Sequence, residues 1–188
     1  MDFYIEIKLL QDPEFTTPQL MSALFSKLHR ALVEVSNNDL GASFPQFSKS
    51  SLGSVMRVHG TQAALERLEA LPWRKGLGDF TEVTAITAAP ETDSHYLVQR
   101  VRSKSNAERL RRRAMKRKGY SHEEAVEHIP DTAETYISDL PFVRIKSQST
   151  GGHQFRLYIQ QTELSAKVVG HEFSKYGLSA TCTVPKFV

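Results

Sequence analysis

The 188-residue chain has a single cysteine, Cys182, which excludes an internal disulfide and a cysteine zinc cluster. Its seven histidines, at positions 29, 59, 95, 122, 128, 153 and 171, are scattered, with no pair at metal-ligand spacing. No run approaches the roughly 20 apolar residues that cross a bilayer, and the first residues show no signal-peptide pattern. A cytoplasmic protein that needs no membrane is expected. The chain also lacks G-x-x-x-x-G-K-[ST], H-E-x-x-H and G-x-S-x-G, so the common ATPase, metalloprotease and hydrolase routes have no support. Its acids are dispersed, which argues against two-metal nuclease chemistry and implies no metal or other cofactor.

Acid is scarcest where base is densest. Between Arg100 and Lys118 stand ten cationic side chains and one acid, Glu108, a net charge of +9 in a protein whose total is +3. The remainder therefore sums to −6, and a mildly acidic body with one cationic segment points to a polyanion. The pattern is helical over 105–118: Ser105 or Asn106 caps the start, Glu108 suits the first turn, and Gly119 stands at a C-cap position. At about 100° per residue, Arg109, Arg112, Arg113 and Lys116 share one face, and Ala107, Leu110 and Ala114 form a narrow apolar strip. A merely solvated helix mixes signs at i,i+4, and this one has almost no compensating acid. A membrane-surface helix needs a wide face of large apolar residues, but Leu110 and Met115 lie on different faces. Arginine favours bidentate phosphate or guanine contacts, so nucleic acid is the better-supported ligand.

Elsewhere the chain, 40% apolar, reads as soluble α+β. Strands are expected at Phe3–Leu9, Gly41–Phe44, Ser54–His59 and Phe80–Ile86, with one helix opening at Thr17-Pro18 and another capped by Thr61. This β-α-β-β-α-β order predicts an amino-terminal ferredoxin-like domain, a common RNA-binding scaffold. The Ala/Pro/Thr-rich stretch at 87–94 sets a boundary between domains 1–90 and 91–188. The second, smaller domain would hold a strand near Tyr96–Val101, the basic helix and a short helix with a capping box at Ser121-His122-Glu123-Glu124. A β-hairpin over 141–160 follows, and further extended pieces lie at Phe173–Leu178 and Thr181–Phe187.

Three polar features are candidates for chemistry. His29 falls on the border of the first helix's apolar stripe. Ser147-Gln148-Ser149-Thr150-Gly151-Gly152 is either an ordinary hairpin loop or a turn that holds phosphate or ribose oxygens. Tyr176, in Tyr-Gly-Leu-Ser, either orients a neighbour or caps a core. Metal-free scission of a nucleic acid requires RNA, whose internal 2′-OH can attack its own phosphate. A histidine base and a serine suffice for it.

The sequence resembles the CRISPR repeat-processing endoribonucleases of subtype I-F nearly end to end. The likeness is carried by Asp12-Pro13-Glu14-Phe15, Gln19-Leu20-Met21-Ser22, Leu24-Phe25-x-Lys27-Leu28-His29, and Lys104-Ser105-Asn106-x-Glu108-Arg109-Leu110-Arg111-Arg112-Arg113. Ile129-Pro130-Asp131-Thr132, Asp139-Leu140-Pro141-Phe142-Val143, Ser147-Gln148-Ser149-Thr150-Gly151, Phe155-Arg156-Leu157 and Tyr176-Gly177-Leu178-Ser179 continue it in order. The resemblance implies cleavage at the 3′ base of the repeat hairpin, leaving a 5′-hydroxyl and a 2′,3′-cyclic phosphate. In that reading His29 is the general base, Ser147 holds the ribose and Tyr176 positions His29. Arg109, Arg112, Arg113, Lys116 and Arg117 enter the RNA groove, Ser149 and Thr150 touch the backbone, and Phe155 stacks under the terminal base pair. Arg100 and Arg102 read bases low in the stem. Position 102 is glutamine in the family pattern; arginine here favours guanine over adenine. Partners would be the repeat stem-loop RNA and other subunits of a type I-F complex. The alternative from a different class is a non-catalytic subunit that only seats a stem-loop; a double-stranded DNA binder is a third.

Overall fold

The computed structural model describes residues 1–102, 107–130, 139–146, 153–168, 170 and 172–187. It is an α+β protein with two antiparallel sheets. The chain runs through β1 (Phe3–Leu9), α1 (Thr17–Val35), β2 (Gly41–Ser43), β3 (Val55–Gly60), α2 (Gln62–Glu69), β4 (Thr81–Val83) and β5 (Thr87–Ala88). Then come β6 (His95–Val101), α3 (Ala107–Lys118), α4 (His122–His128), β7 (Phe142–Lys146), β8 (Gln154–Leu164) and β9 (Thr183–Pro185). The first sheet has the order β2-β3-β1-β4, with β5 also pairing on β1; the second has β7-β8-β6-β9.

Helix α1 follows its apolar periodicity closely: Leu20, Met21, Leu24, Phe25, Leu28, Ala31 and Leu32 are all buried. The helix opens at Thr17, as the sequence predicts, and its N-cap is Thr16, where the Gln19 side chain accepts from the Thr16 backbone N–H at 2.8 Å. Pro18 sits in the first turn, where its missing N–H costs nothing. The fourth strand is shorter than the expected Phe80–Ile86. At Thr84 the side-chain hydroxyl, 2.9 Å away, accepts from Glu6 N in place of a backbone carbonyl, and the ladder stops. Pairing resumes as β5, inside the stretch read as a linker. Of the extended pieces expected after residue 173, Thr183–Pro185 is a strand, whereas Ser174–Leu178 closes a turn.

The compact units follow a different division from a boundary at residue 90. One contains Met1–Val101 with Leu140–Val188, the other Arg102–Asp139. The physical reason is a shared core: Val98, Val143, Ile145, Leu157, Ile159 and Val184 from the second sheet join Ile5, Phe25, Leu28 and Phe44 in one apolar cluster. Gln161 of β8 adds a polar fastening, its amide accepting from Phe44 N and donating to Phe44 O, each at 2.9 Å. At Gly41 a Cβ would fall 2.6 Å from Val184 and 2.7 Å from Phe173, so glycine is what lets β2 approach the carboxyl-terminal segment.

In the smaller unit, Ser121 and Glu124 form the expected capping box of α4. Gly119 adopts φ 72° after α3 and donates its N–H to Met115 O. Inside α3 the packing departs from the expected apolar strip. Ala107, Leu110 and Ala114 are only half-buried, and the one buried residue of the helix is Arg111. Its Nε donates to Ile129 O at 2.8 Å, so this guanidinium ties the helix to the end of α4. Among the described residues no helix is long and apolar enough to cross a membrane.

Candidate active site

His29 lies in the last third of α1, half-buried, and its position is fixed from two sides. Its Nδ1 is 2.7 Å from Lys175 O. A carbonyl only accepts, so Nδ1 carries the proton. The neutral ring then keeps its lone pair at Nε2, the atom a base needs. The flat of the imidazole rests on Tyr176, with ring centroids 4.2 Å apart and planes 18° from parallel.

The turn that supplies both contacts is built by the Tyr-Gly-Leu-Ser motif. Ser174 N and Oγ both donate to Leu178 O, and Gly177 N donates to Ser174 O at 2.8 Å. Gly177 has φ +69°, a conformation that side chains disfavour, and a Cβ there would press on Ala42 at 3.3 Å and Leu32 at 3.4 Å. Its carbonyl in turn accepts from Ala42 N at 2.8 Å. A glycine at this point therefore allows the turn to seat against α1 and β2.

Arg100, on β6, joins the same place. Its guanidinium lies 5.7 Å from the Tyr176 ring centre and 5.6 Å from that of Phe155. His29, Tyr176, Arg100 and Phe155, far apart in sequence, thus form one continuous row of contacts. Helix α1 is also fastened along β7. Arg144 N donates to Ser22 Oγ at 3.1 Å, and Ser26 Oγ donates to Arg144 O at 3.4 Å. Strand β7 ends one residue before Ser147. Ser147, Ser149 and Thr150 themselves lie outside the described residues.

On α3, Arg109, Arg112, Arg113, Lys116 and Arg117 are exposed, as is Arg102 before it. Arg112 makes an exposed contact with Glu108 at 3.6 Å, the only acid in the helix. Such a pair is worth little, so α3 presents a surplus of cations. The helical count separates these residues from Arg111, which the sequence reading left without a role and the fold buries. Sequence reasoning also missed the Lys175 carbonyl and the Ser22 and Ser26 hydroxyls. A backbone acceptor has no side-chain signature, and two serines four apart on a helix mark nothing until their neighbour is known.

One unit thus holds a histidine fixed by a backbone carbonyl and stacked on a tyrosine, and the other carries a helix of exposed arginines, residue types that suit a polyanionic partner. Residues 4–187 match the family model of CRISPR-associated protein (Cas_Csy4), and the chain belongs to that family. It is 44% identical over 187 residues, the whole of both chains, to the CRISPR-associated endonuclease Cas6/Csy4 of Escherichia coli strain UTI89 / UPEC. It is 46% identical over 189 residues, again end to end, to the protein of the same name from Pseudomonas aeruginosa strain UCBPP-PA14.

Proposed function

We propose that this protein is a metal-independent endoribonuclease that cuts CRISPR precursor RNA at the 3′ base of the repeat stem-loop. The endonuclease name of its full-length relatives supports the activity class. The observation that carries the mechanism is the Nδ1–H donation from His29 to Lys175 O, which leaves Nε2 as the base. In the reaction, Nε2 takes the proton of the 2′-OH on the 5′ side of the cut. The freed oxygen attacks the adjacent phosphorus, and the bond to the 5′-oxygen breaks. That oxygen takes a proton from solvent water and leaves as a 5′-hydroxyl, the proton held by His29 returns to solvent, and the phosphate remains as a 2′,3′-cyclic diester. Tyr176 holds the imidazole in plane, Ser147 steadies the ribose, and Ser149 and Thr150 contact the backbone beside it. Phe155 supports the last base pair, with Arg100 and Arg102 reading bases low in the stem.

Arg109, Arg112, Arg113, Lys116 and Arg117 of α3 seat the stem, whose groove widens near its end enough to admit long side chains. The strand order β2-β3-β1-β4 with α1 and α2 supports a ferredoxin-like scaffold beneath the site. Because the stem survives a cut on its 3′ side, the product stays bound. The protein then serves in the cytoplasm as a subunit of a type I-F RNA-guided complex. The test is end analysis of a labelled repeat RNA incubated with the protein in EDTA. The reading requires a 5′-hydroxyl and a 2′,3′-cyclic phosphate. A 3′-hydroxyl product, or cleavage only after metal is restored, overturns the mechanism. Tight binding of the cognate repeat without scission favours a subunit that only seats the stem-loop.

A further inference from the structure

A second group of cations, outside α3 and outside the contacts of His29, lies on the hairpin of β7 and β8. The register places Arg144 directly opposite Arg156, and Lys146 follows two residues along β7 on the same face. All three are exposed, whereas Val143, Ile145 and Leu157 are buried on the other face.

Like charges opposed across a strand pair are unfavourable, and this protein avoids the arrangement elsewhere. Lys8 stands in register with Glu82 and meets it at 3.3 Å, and Lys186 pairs with Glu163. No described carboxylate forms an ion pair with Arg144, Lys146 or Arg156. Arg156 is instead laid over the Phe142 ring, 4.6 Å from its centre, and Phe142 meets Tyr158 edge-on at 5.5 Å. A guanidinium positioned over an aromatic ring is not neutralised by it, and its N–H groups can still reach a phosphate.

We propose that Arg144, Lys146 and Arg156 bind the phosphodiester backbone of a single-stranded RNA segment that flanks the stem-loop. The inference rests on the RNA-processing reading above and extends it. Two relations of the hairpin favour a flank over the stem. Lys146 immediately precedes Ser147, the residue assigned to the ribose at the cut, so the cations begin where the duplex ends. Phe155, assigned to the terminal base pair, and Arg156, its neighbour on β8, project to opposite faces of the sheet. A stem stacked on Phe155 therefore stops on one side of β8, and the phosphates that reach Arg156 are those of a strand continuing past it.

The test compares wild type with Arg144→Gln/Arg156→Gln by salt titration of RNA affinity. Three RNAs are used, each with a 2′-deoxy sugar at the cut: the bare stem-loop, the stem-loop with a 5′ flank, and the stem-loop with a 3′ flank. The expected result is a steeper wild-type salt slope on one flanked RNA than on the bare stem-loop. The double variant loses about 1.4 from that slope, at about 0.7 per single-strand contact, with no change on the bare stem-loop. The RNA that shows the loss identifies the bound flank. Unchanged slopes on all three RNAs, or an equal loss on the bare stem-loop, overturn the proposal. Should the double variant not melt as wild type does, Lys146→Gln, at the last residue of β7, is held to the same slope test. Failure of wild type to bind the bare stem-loop sinks the RNA reading itself, a result distinct from failure of the patch.

Discussion

The imidazole of His29 lies nearly parallel to the ring of Tyr176, at 4.2 Å, while its Nδ1 donates to the carbonyl of the residue just before that tyrosine. One turn therefore fixes both the tilt of the imidazole and its tautomer. If this arrangement prepares a base, its parts separate by mutation. Tyr176→Phe keeps the stack and the backbone acceptor and is expected to cut RNA near the wild-type rate. Tyr176→Ala frees the ring, and a misplacement of about 1 Å costs on the order of 100-fold in rate. Single-turnover cleavage at saturating enzyme checks this, because it reads chemistry apart from binding.

Gly177 carries the backbone strain that the turn requires. Gly177→Ala puts a side chain at φ +69° and 3.3 Å from Ala42, and is expected to destabilise the fold by about 1–2 kcal/mol. Urea unfolding measures that loss, and cleavage of the same variant shows whether the displaced turn carries His29 with it.

His59 is the opposite kind of histidine. It is fully buried on β3, hydrogen-bonded to Ser43 Oγ at 2.8 Å, and burial together with the nearby Arg57 cation lowers its pKa from 6.5 to about 3. The unfolded chain binds a proton here below about pH 6.5, and the folded chain does not until about pH 3. His59 therefore favours folding above that window, and stability falls as pH drops through it, by about 1.4 kcal/mol per pH unit from this group. His59→Gln is expected to flatten the dependence between those limits, read by urea midpoints at pH 4, 5 and 6. An unchanged slope assigns the acid sensitivity to other groups.

The arginines of α3 divide into one structural and several external residues. Arg111→Ala removes the hold on Ile129 and is expected to cost about 1–3 kcal/mol of stability in the unit 102–139, seen as faster amide exchange in α4. Arg113→Ala is expected to leave that exchange unchanged and, if Arg113 reads a base edge as proposed, to cost about 1–3 kcal/mol of RNA affinity. Lys116→Ala lowers the salt dependence of binding by about one phosphate contact.

Much of this was legible before the fold was known, because it rests on local rules. The seven-residue stripe of α1, the capping box at Ser121 and the alternation of β1 and β7 each follow from periodicity and cap chemistry. What was not legible depends on partners distant in sequence. Thr84 reads as a strand residue, yet its hydroxyl ends the ladder because it meets Glu6. The break at 87–94 is a change of composition, but Val98 and Val184 still fall into the core that Phe25 and Phe44 begin. Arg111 is one cation among ten in its stretch, and only the carbonyl of Ile129 distinguishes it. At the site, His29 and Tyr176 were each readable as candidates, whereas Lys175 O, which sets the tautomer, has no letter in the sequence code.

The central claim is that His29 is the base and not a docking contact. The direct measurement is the single-turnover cleavage rate of a labelled cognate repeat stem-loop by wild type and His29→Ala, with RNA affinity determined in parallel. The account predicts that His29→Ala abolishes cleavage and binds with nearly wild-type affinity, and that a 2′-deoxy sugar at the cut blocks wild type equally. Cleavage by His29→Ala at close to the wild-type rate, or a collapse of binding that explains the lost cleavage, contradicts it.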